Sequence, residues 1–269
     1  MANILDQIVA DKRQEVRDRR TQVSLEQLKE RIIGLPKCRN FYQAVTKANR
    51  RGLNVIAEVK KASPSAGLIR ADFDPVAIAR TYERYGADAI SVLTDEKYFQ
   101  GRLEYVEQVK QAVALPVLRK DFIVDLWQAY ESRAAGADAI LLIADALPTG
   151  ELMDLVIAAT ELTLTVLVEV HQADTLLRVR SLIGFPAGRY SVLGINNRDL
   201  TTMAVDLNTT SRLKDMLDDD VPVVAESGIR TRRDVEKLIG IGVRAVLIGQ
   251  TLCEQPDIGS KFTELFGPG

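Results

Sequence analysis

Eight short runs rich in Val, Ile and Leu recur along the chain, roughly every 23 to 34 residues: NVIAEVK (54–60), DAISVLT (88–94), LPVLRKD (115–121), DAILLIA (138–144), LTVLVEV (164–170), YSVLGIN (190–196), VPVVAES (221–227) and RAVLIGQ (244–250). Each is followed by a stretch with helical spacing, such as DPVAIARTYERYG, DLWQAYESRAAG or TRRDVEKLIGIG. Strands that are apolar without interruption must be covered on both faces, which is the situation of parallel strands flanked by helices. Eight such β-then-α units over about 215 residues point to an α/β fold, a (β/α)8 TIM barrel, rather than an open doubly wound sheet. The first βα turn also lacks the G-x-G-x-x-G of a dinucleotide fold.

The endings YGADAISVLT and AGADAILLIA are near-duplicates, and IGVRAVLIG is a looser third copy. All three read as one junction, in which Gly ends a helix and the next strand begins. Residues 1 to about 50 precede the first strand and carry two helical stretches, ILDQIVADKRQEVRDRR and LEQLKERIIG, with a third at NFYQAVTKA. The expected organisation is one barrel domain over 1–269, with 1–50 a helical extension packed on it. That extension either closes the barrel bottom or flank, or acts as a flap that contributes to substrate binding.

The near balance of 35 Lys+Arg against 37 Asp+Glu offers no cationic surplus for nucleic acid or an anionic membrane. The first 20 residues have charges from the sixth onward and no signal-peptide core, and no stretch approaches a membrane span, so a cytoplasmic protein is expected. Cys38 and Cys253 form no C-x-x-C pair and read as small buried residues. With His171 as the one histidine, a transition-metal site is disfavoured, whereas an all-carboxylate magnesium site stays open.

In such barrels chemistry gathers at the C-terminal ends of the strands. The run VIAEVKKASPSAGLI breaks its apolar strand with Glu58 and Lys60, which share a face because side chains alternate. Lys120 ends the third run, Glu169 follows Val168 in the fifth, Asn196 ends the sixth, and Glu226-Ser227-Gly228 ends the seventh. Amide or ionisable groups at one level of five strands point to an acid/base site. Burial moves both carboxyl and amine pKa values towards neutrality, and Glu–Lys pairing offsets that shift.

Ser227-Gly228 and Gly249-Gln250 follow the seventh and eighth strands, where many barrels hold a phosphate on backbone N–H groups; Lys60 adds positive charge. His171 lies at the rim without a Ser or Cys partner and is left outside the catalytic set. Trp127, within a helical run, reads as packing. These residues fit a phosphosugar barrel enzyme, including an isomerase or a Schiff-base aldolase with Lys60 or Lys120 as nucleophile, and also a silent phosphometabolite-binding protein.

IAEVKKASPSAGLI, LTDEKYFQG, VLRKDFIVD, VLVEVH, GINNRDL, AESGI and LIGQTL together resemble indole-3-glycerol phosphate synthase over nearly the whole chain. With no second barrel after residue 269, the resemblance is to the monofunctional form. It implies conversion of 1-(2-carboxyphenylamino)-1-deoxyribulose 5-phosphate into indole-3-glycerol phosphate, with loss of carbon dioxide and water, in tryptophan biosynthesis. No cofactor or metal is implied, and the protein is expected as a monomer or weak homodimer. By the same resemblance Lys120 is the general acid and Glu169 assists later proton transfers, while Glu58, Lys60 and Asn196 position the intermediate. Ser63 and Arg198 line the site. Phe99, Phe122, Leu141 and Ile143 wall the aromatic ring. Ser227, Gly228 and Gly249 cradle the phosphate with Lys60. Gln250 takes a position where a small or acidic residue is expected.

Overall fold

A computed structural model describes residues 4–183, 190–200 and 202–267. Among these, the strands are β1 (Asn54–Val59), a small antiparallel pair β2 (Ala62–Ser63) and β3 (Gly67–Leu68), then β4 (Ala89–Leu93), β5 (Val117–Lys120), β6 (Ala139–Ile143), β7 (Thr165–Val170), β8 (Ser191–Asn196), β9 (Val223–Glu226) and β10 (Ala245–Ile248). All except β2 and β3 pair in parallel with sequence neighbours, and β1 bonds to both β4 and β10, so the sheet closes.

Three helices precede β1: α1 (Ile4–Gln22), α2 (Leu25–Ile32) and α3 (Phe41–Thr46). Around the barrel run α4 (Pro75–Arg84), α5 (Glu96–Phe99), α6 (Glu104–Ala112), α7 (Leu126–Ala134), α8 (Thr149–Glu161), α9 (Ala173–Val179), α10 (Asn208–Lys214), α11 (Arg232–Gly240), α12 (Gln250–Cys253) and α13 (Ile258–Phe266). Their starts are written locally: Asp74 caps α4 ahead of Pro75, and Thr231 and Asp234 form a capping box on α11.

The repeated junctions have a backbone reason. Gly86, Gly136 and Gly242 all take positive φ (92°, 86° and 76°), where a Cβ is costly, so each stops its helix and turns the chain into the next strand. The Asp that follows two of them works as well. Asp88 accepts the Val55 N–H at 2.9 Å, and Asp138 accepts that of Val117 at 2.8 Å, which satisfies a donor at the start of a neighbouring strand.

Side-chain alternation divides the core into two layers. Val55, Ala57 and Val59 of β1 face the helices, as do Val166, Val168 and Val170 of β7, in one large cluster. Ile56, Ala89, Leu118, Leu141, Leu167 and Val224 fill the barrel interior together with Phe41 and Val45 of α3. The short helix α3 thus plugs the bottom, and its fully buried Phe41 is expected to contribute a few kcal/mol, about 3–5 on truncation to Ala. At the opposite end, α1 reaches the mouth. Its Lys12, only 2% exposed, pairs with Glu15, Asp95 and Asp121 at 2.7, 2.9 and 3.0 Å. Trp127 packs beneath the extension, donating to the Val23 carbonyl at 3.0 Å. Both cysteines are free.

Candidate active site

At the C-terminal end of the barrel lies a cavity of about 430 Å3. Glu58, Lys60, Lys120, Glu169 and Asn196 all line it. Ser63, Phe99, Phe122, Leu141, Ile143 and Arg198 line it too, and Ser227, Gly228, Gly249 and Gln250 complete the set. One parity rule explains the convergence. Along β1 and just past it the inward positions run Ile56, Glu58, then Lys60; on β5, Leu118 then Lys120; on β7, Leu167 then Glu169; an apolar residue at mid-barrel is followed by an ionisable one at the C-terminal end.

Lys120 is the centre. Its Nζ lies 3.5 Å from Glu169 Oε2 and 3.5 Å from Glu226 Oε2. Burial works against the ammonium, but the surrounding carboxyls, Glu169 foremost, outweigh it and hold Lys120 protonated, well above the ordinary lysine range. The two carboxyls part company. Burial pushes Glu169 up, yet Lys120 and His171 pull it well below the usual carboxylate range, so it is ionised. Glu226 is raised well above that range by burial, then by the neighbouring Glu169 charge, and keeps a proton. Burial alone was expected to draw such groups towards neutrality. For Lys120 and Glu169 the pairing reverses that direction; for Glu226 burial prevails.

Glycines make room for these carboxyls. A Cβ on Gly249 would run into the Glu58 side chain, and one on Gly194 would run into Glu226. Gly249 is therefore needed for Glu58 to take its place, independently of any phosphate. Glu58 is paired with Lys60, whose Nζ also stands 5.9 Å from the centre of the Phe99 ring. Phe99 and Phe122 face each other at 6.2 Å, and Leu141 and Ile143 belong at once to the barrel core and to the cavity wall.

Beyond β9, Ser227 and Gly228 take φ of 64° and 82°, two consecutive left-handed residues, and Ser227 carries the steric cost of that state. Asn197 holds the turn, donating its Nδ2 to the carbonyls of Glu226 at 2.9 Å and Ser227 at 3.1 Å. Its Oδ1 accepts from Thr210 N and Oγ1, so the buried amide is saturated. Asn196 instead accepts the Arg198 N–H at 3.0 Å and keeps its Nδ2 uncommitted among the described residues. Gln250 turns its Nε2 towards Glu254 Oε2, at 3.5 Å.

Several residues of the cavity wall escaped the reading of the sequence, Glu226 and three residues of α1 among them. Glu226 was visible as a strand-end residue but received no role, although it stands in register with Asn196. Ile4, Leu5 and Ile8 of α1 reach the cavity, which helical spacing alone does not reveal.

Comparison with known proteins decides the family. The family model for indole-3-glycerol phosphate synthase matches residues 5–265. The chain is 49% identical over 264 residues to an indole-3-glycerol phosphate synthase of Geobacillus thermodenitrificans, covering 98% of this chain and 97% of that one. It is 47% identical over 270 residues to that of Desulfotalea psychrophila, covering 100% of each. This chain belongs to the indole-3-glycerol phosphate synthase family. It is therefore a carbon-carbon lyase, a decarboxylase of tryptophan biosynthesis. A solved 3-hexulose-6-phosphate synthase from Salmonella typhimurium superposes with a TM-score of 0.61 at 14% identity, over 79% of this chain and 96% of that one, which speaks for the barrel alone. Among the described residues no helix is long and apolar enough to cross a membrane.

Proposed function

We propose that the cavity closes the indole ring of 1-(2-carboxyphenylamino)-1-deoxyribulose 5-phosphate. The ring carbon bearing the carboxylate attacks the ketone carbon while Lys120 gives its proton to the ketone oxygen. Carbon dioxide leaves with its electron pair restoring the ring, and the new hydroxyl departs as water to give indole-3-glycerol phosphate. Glu169 accepts a proton during that dehydration. Lys60 and the protonated Glu226 are the two donors on hand for the departing oxygen. Ser63, Glu58, Asn196 and Arg198 orient the substrate, the Phe99–Phe122 side buries its aromatic ring, and Lys60 with the Ser227-Gly228 and Gly249-Gln250 backbone takes the phosphate.

The observation that carries this reading is a lysine held as ammonium between two buried carboxyls, facing a cavity with an aromatic wall and a glycine-rich rim. A protonated amine is a donor and not a nucleophile, which weighs against a Schiff-base aldolase. We further read the chain as a single domain over 1–269, with 1–50 packed on the barrel, acting in the cytoplasm as a monomer or weak homodimer. No nucleic acid, membrane, metal or cofactor enters the proposal, in keeping with the near-neutral net charge. The test is turnover of the carboxyphenylamino-deoxyribulose phosphate by purified protein, followed by indole fluorescence, beside Lys120→Ala and Glu169→Gln. Wild-type turnover lost in both folded variants is expected; a folded wild type that makes no indole product sinks the substrate assignment.

A further inference from the structure

His171 belongs to no part of the chemistry just described, yet it is the one imidazole of the chain and its side chain is only 6% exposed. It follows β7 two residues after Glu169, so the two side chains share a face. Its Nδ1 stands 2.8 Å from Asp145 Oδ2, and its Nε2 stands 3.3 Å from Glu169 Oε1. The second approach is an ion-pair distance without an aligned hydrogen bond. Asp145 is itself held, since its other oxygen accepts from Thr175 Oγ1 at 2.6 Å.

A ring with a carboxylate on each side has one favourable state. A neutral imidazole donates through one nitrogen and presents a lone pair at the other, so either tautomer turns a lone pair towards a carboxylate. Only the imidazolium puts an N–H on both. Burial opposes that charge, but Asp145 and Glu169 overcome it, and His171 is pushed up to about 10. The Glu169 carboxylate is then divided in function. Oε1 faces His171, while Oε2 is buried without a hydrogen bond and faces Lys120.

We infer that His171, clamped by Asp145, is a positioning residue that fixes Glu169 by its Oε1 edge and leaves Oε2 as the oxygen that exchanges a proton in the cavity. The role rests on the proposed reaction for its kinetic expression, but the geometry stands without it. Charged groups around His171 come from several elements. Asp145 and Glu169 touch it directly, and Lys120 and Glu226 lie on the far side of Glu169. Arg178 of α9 donates to the Leu147 carbonyl at 3.1 Å, while Asp199, Asp206 and Arg212 line the side groove that His171 borders.

Because His171 is the only histidine, its imidazole C2–H resonance needs no assignment, and NMR titration of the wild-type enzyme reads its state directly. It is expected to remain imidazolium at about pH 8, well above the ~6.5 of free histidine, and to titrate at lower pH in both Asp145→Asn and Glu169→Gln. A midpoint near that of free histidine, unmoved by either substitution, overturns the proposal whether or not the protein turns over substrate. With activity in hand, His171→Ala should lower kcat about tenfold with KM within about twofold, and raise the acidic limb of the kcat–pH profile by about one unit. His171→Asn, which keeps one donor towards Glu169, should recover part of kcat. In the Glu169→Gln background His171→Ala should cost little more, because the group it positions has lost its charge. An unshifted acidic limb with fully additive losses would leave His171 as packing only. Absence of turnover in the folded wild type, with the titration as expected, would remove the substrate assignment and leave the clamp.

Discussion

Arg119 and Lys120 are consecutive residues of β5, and the two sides of that strand treat a buried cation in opposite ways. Arg119 points outward beneath α7, and each of its three guanidinium nitrogens donates a hydrogen bond. It donates to Thr94 Oγ1 at 3.1 Å, Asp121 Oδ2 at 2.9 Å, Glu131 Oε2 at 2.8 Å and Ser132 Oγ at 3.0 Å, while Lys12 of α1 closes on Asp121 from above. Lys120 points inward and among the described residues pairs with two carboxyls, both at 3.5 Å, whose facing oxygens have no hydrogen bond. The Arg119 cluster spends its hydrogen bonds within the protein, with Lys12 joined to it by ion pairs, and holds α1, β5 and α7 together. An unsaturated one, kept in place by its surroundings, leaves donors and acceptors for a substrate, at the cost of charges buried without full compensation.

The comparison breaks first at Lys120. Lys120→Ala should reduce kcat/KM by about 10²–10⁴, the range of a positioned general acid, while thermal unfolding moves little because Glu169 and Glu226 can then share a proton. A large fall in Tm with modest loss of rate would reverse the roles given to the two sides. Arg119→Met should do the opposite. It strands Asp121 and Glu131 without their guanidinium and should destabilise by about 3–5 kcal/mol, a Tm drop of roughly 10 °C, read by calorimetry.

Lys12→Met probes the same saturated cluster through pH. Burial pushes Asp121 up, but Lys12 and Arg119 outweigh it and depress its pKa below the usual carboxylate range. Its contribution is therefore fully present above about 3.9 and lost as pH falls through the depressed folded value. The Tm gap between wild type and Lys12→Met should be several degrees at neutral pH and should close in acid; a constant gap would mean that Lys12 acts through packing alone. Gly194→Ala is the smallest expected change. The added methyl displaces Glu226 but not the strand, so a loss of about tenfold in kcat with Tm within a few degrees should follow in steady-state and melting experiments.

The saturated cluster was almost invisible in the sequence, and the open one almost transparent. Glu58, Lys60, Lys120, Glu169 and Asn196 could be read because each interrupts an apolar strand at its C-terminal end, where period-two alternation and barrel topology dictate a common direction. Glu226 obeys the same rule but received no role, and His171, two residues after Glu169 and so on the same face, was left out for want of a Ser or Cys partner. Nothing comparable announces that Lys12, inside an evidently charged helix, is buried, because a lysine between glutamates and arginines on a helix reads as solvated until a partner surface covers it. The same holds for Ile4, Leu5 and Ile8, whose apolar stripe indicates burial but not that the surface they complete is the cavity wall.

The amino-acid sequence alone determined the eightfold β-then-α order, the glycine-stopped helix junctions and the inward face of each strand, since backbone sterics and side-chain alternation act over a few residues. Only the tertiary structure decided which of two facing carboxyls keeps the proton, which glycine makes room for which glutamate, and that α1 is bound to β5 through Lys12. Those outcomes depend on distances between groups on different strands and helices, far beyond the few residues of a local pattern, and on the burial that gives charges their strength.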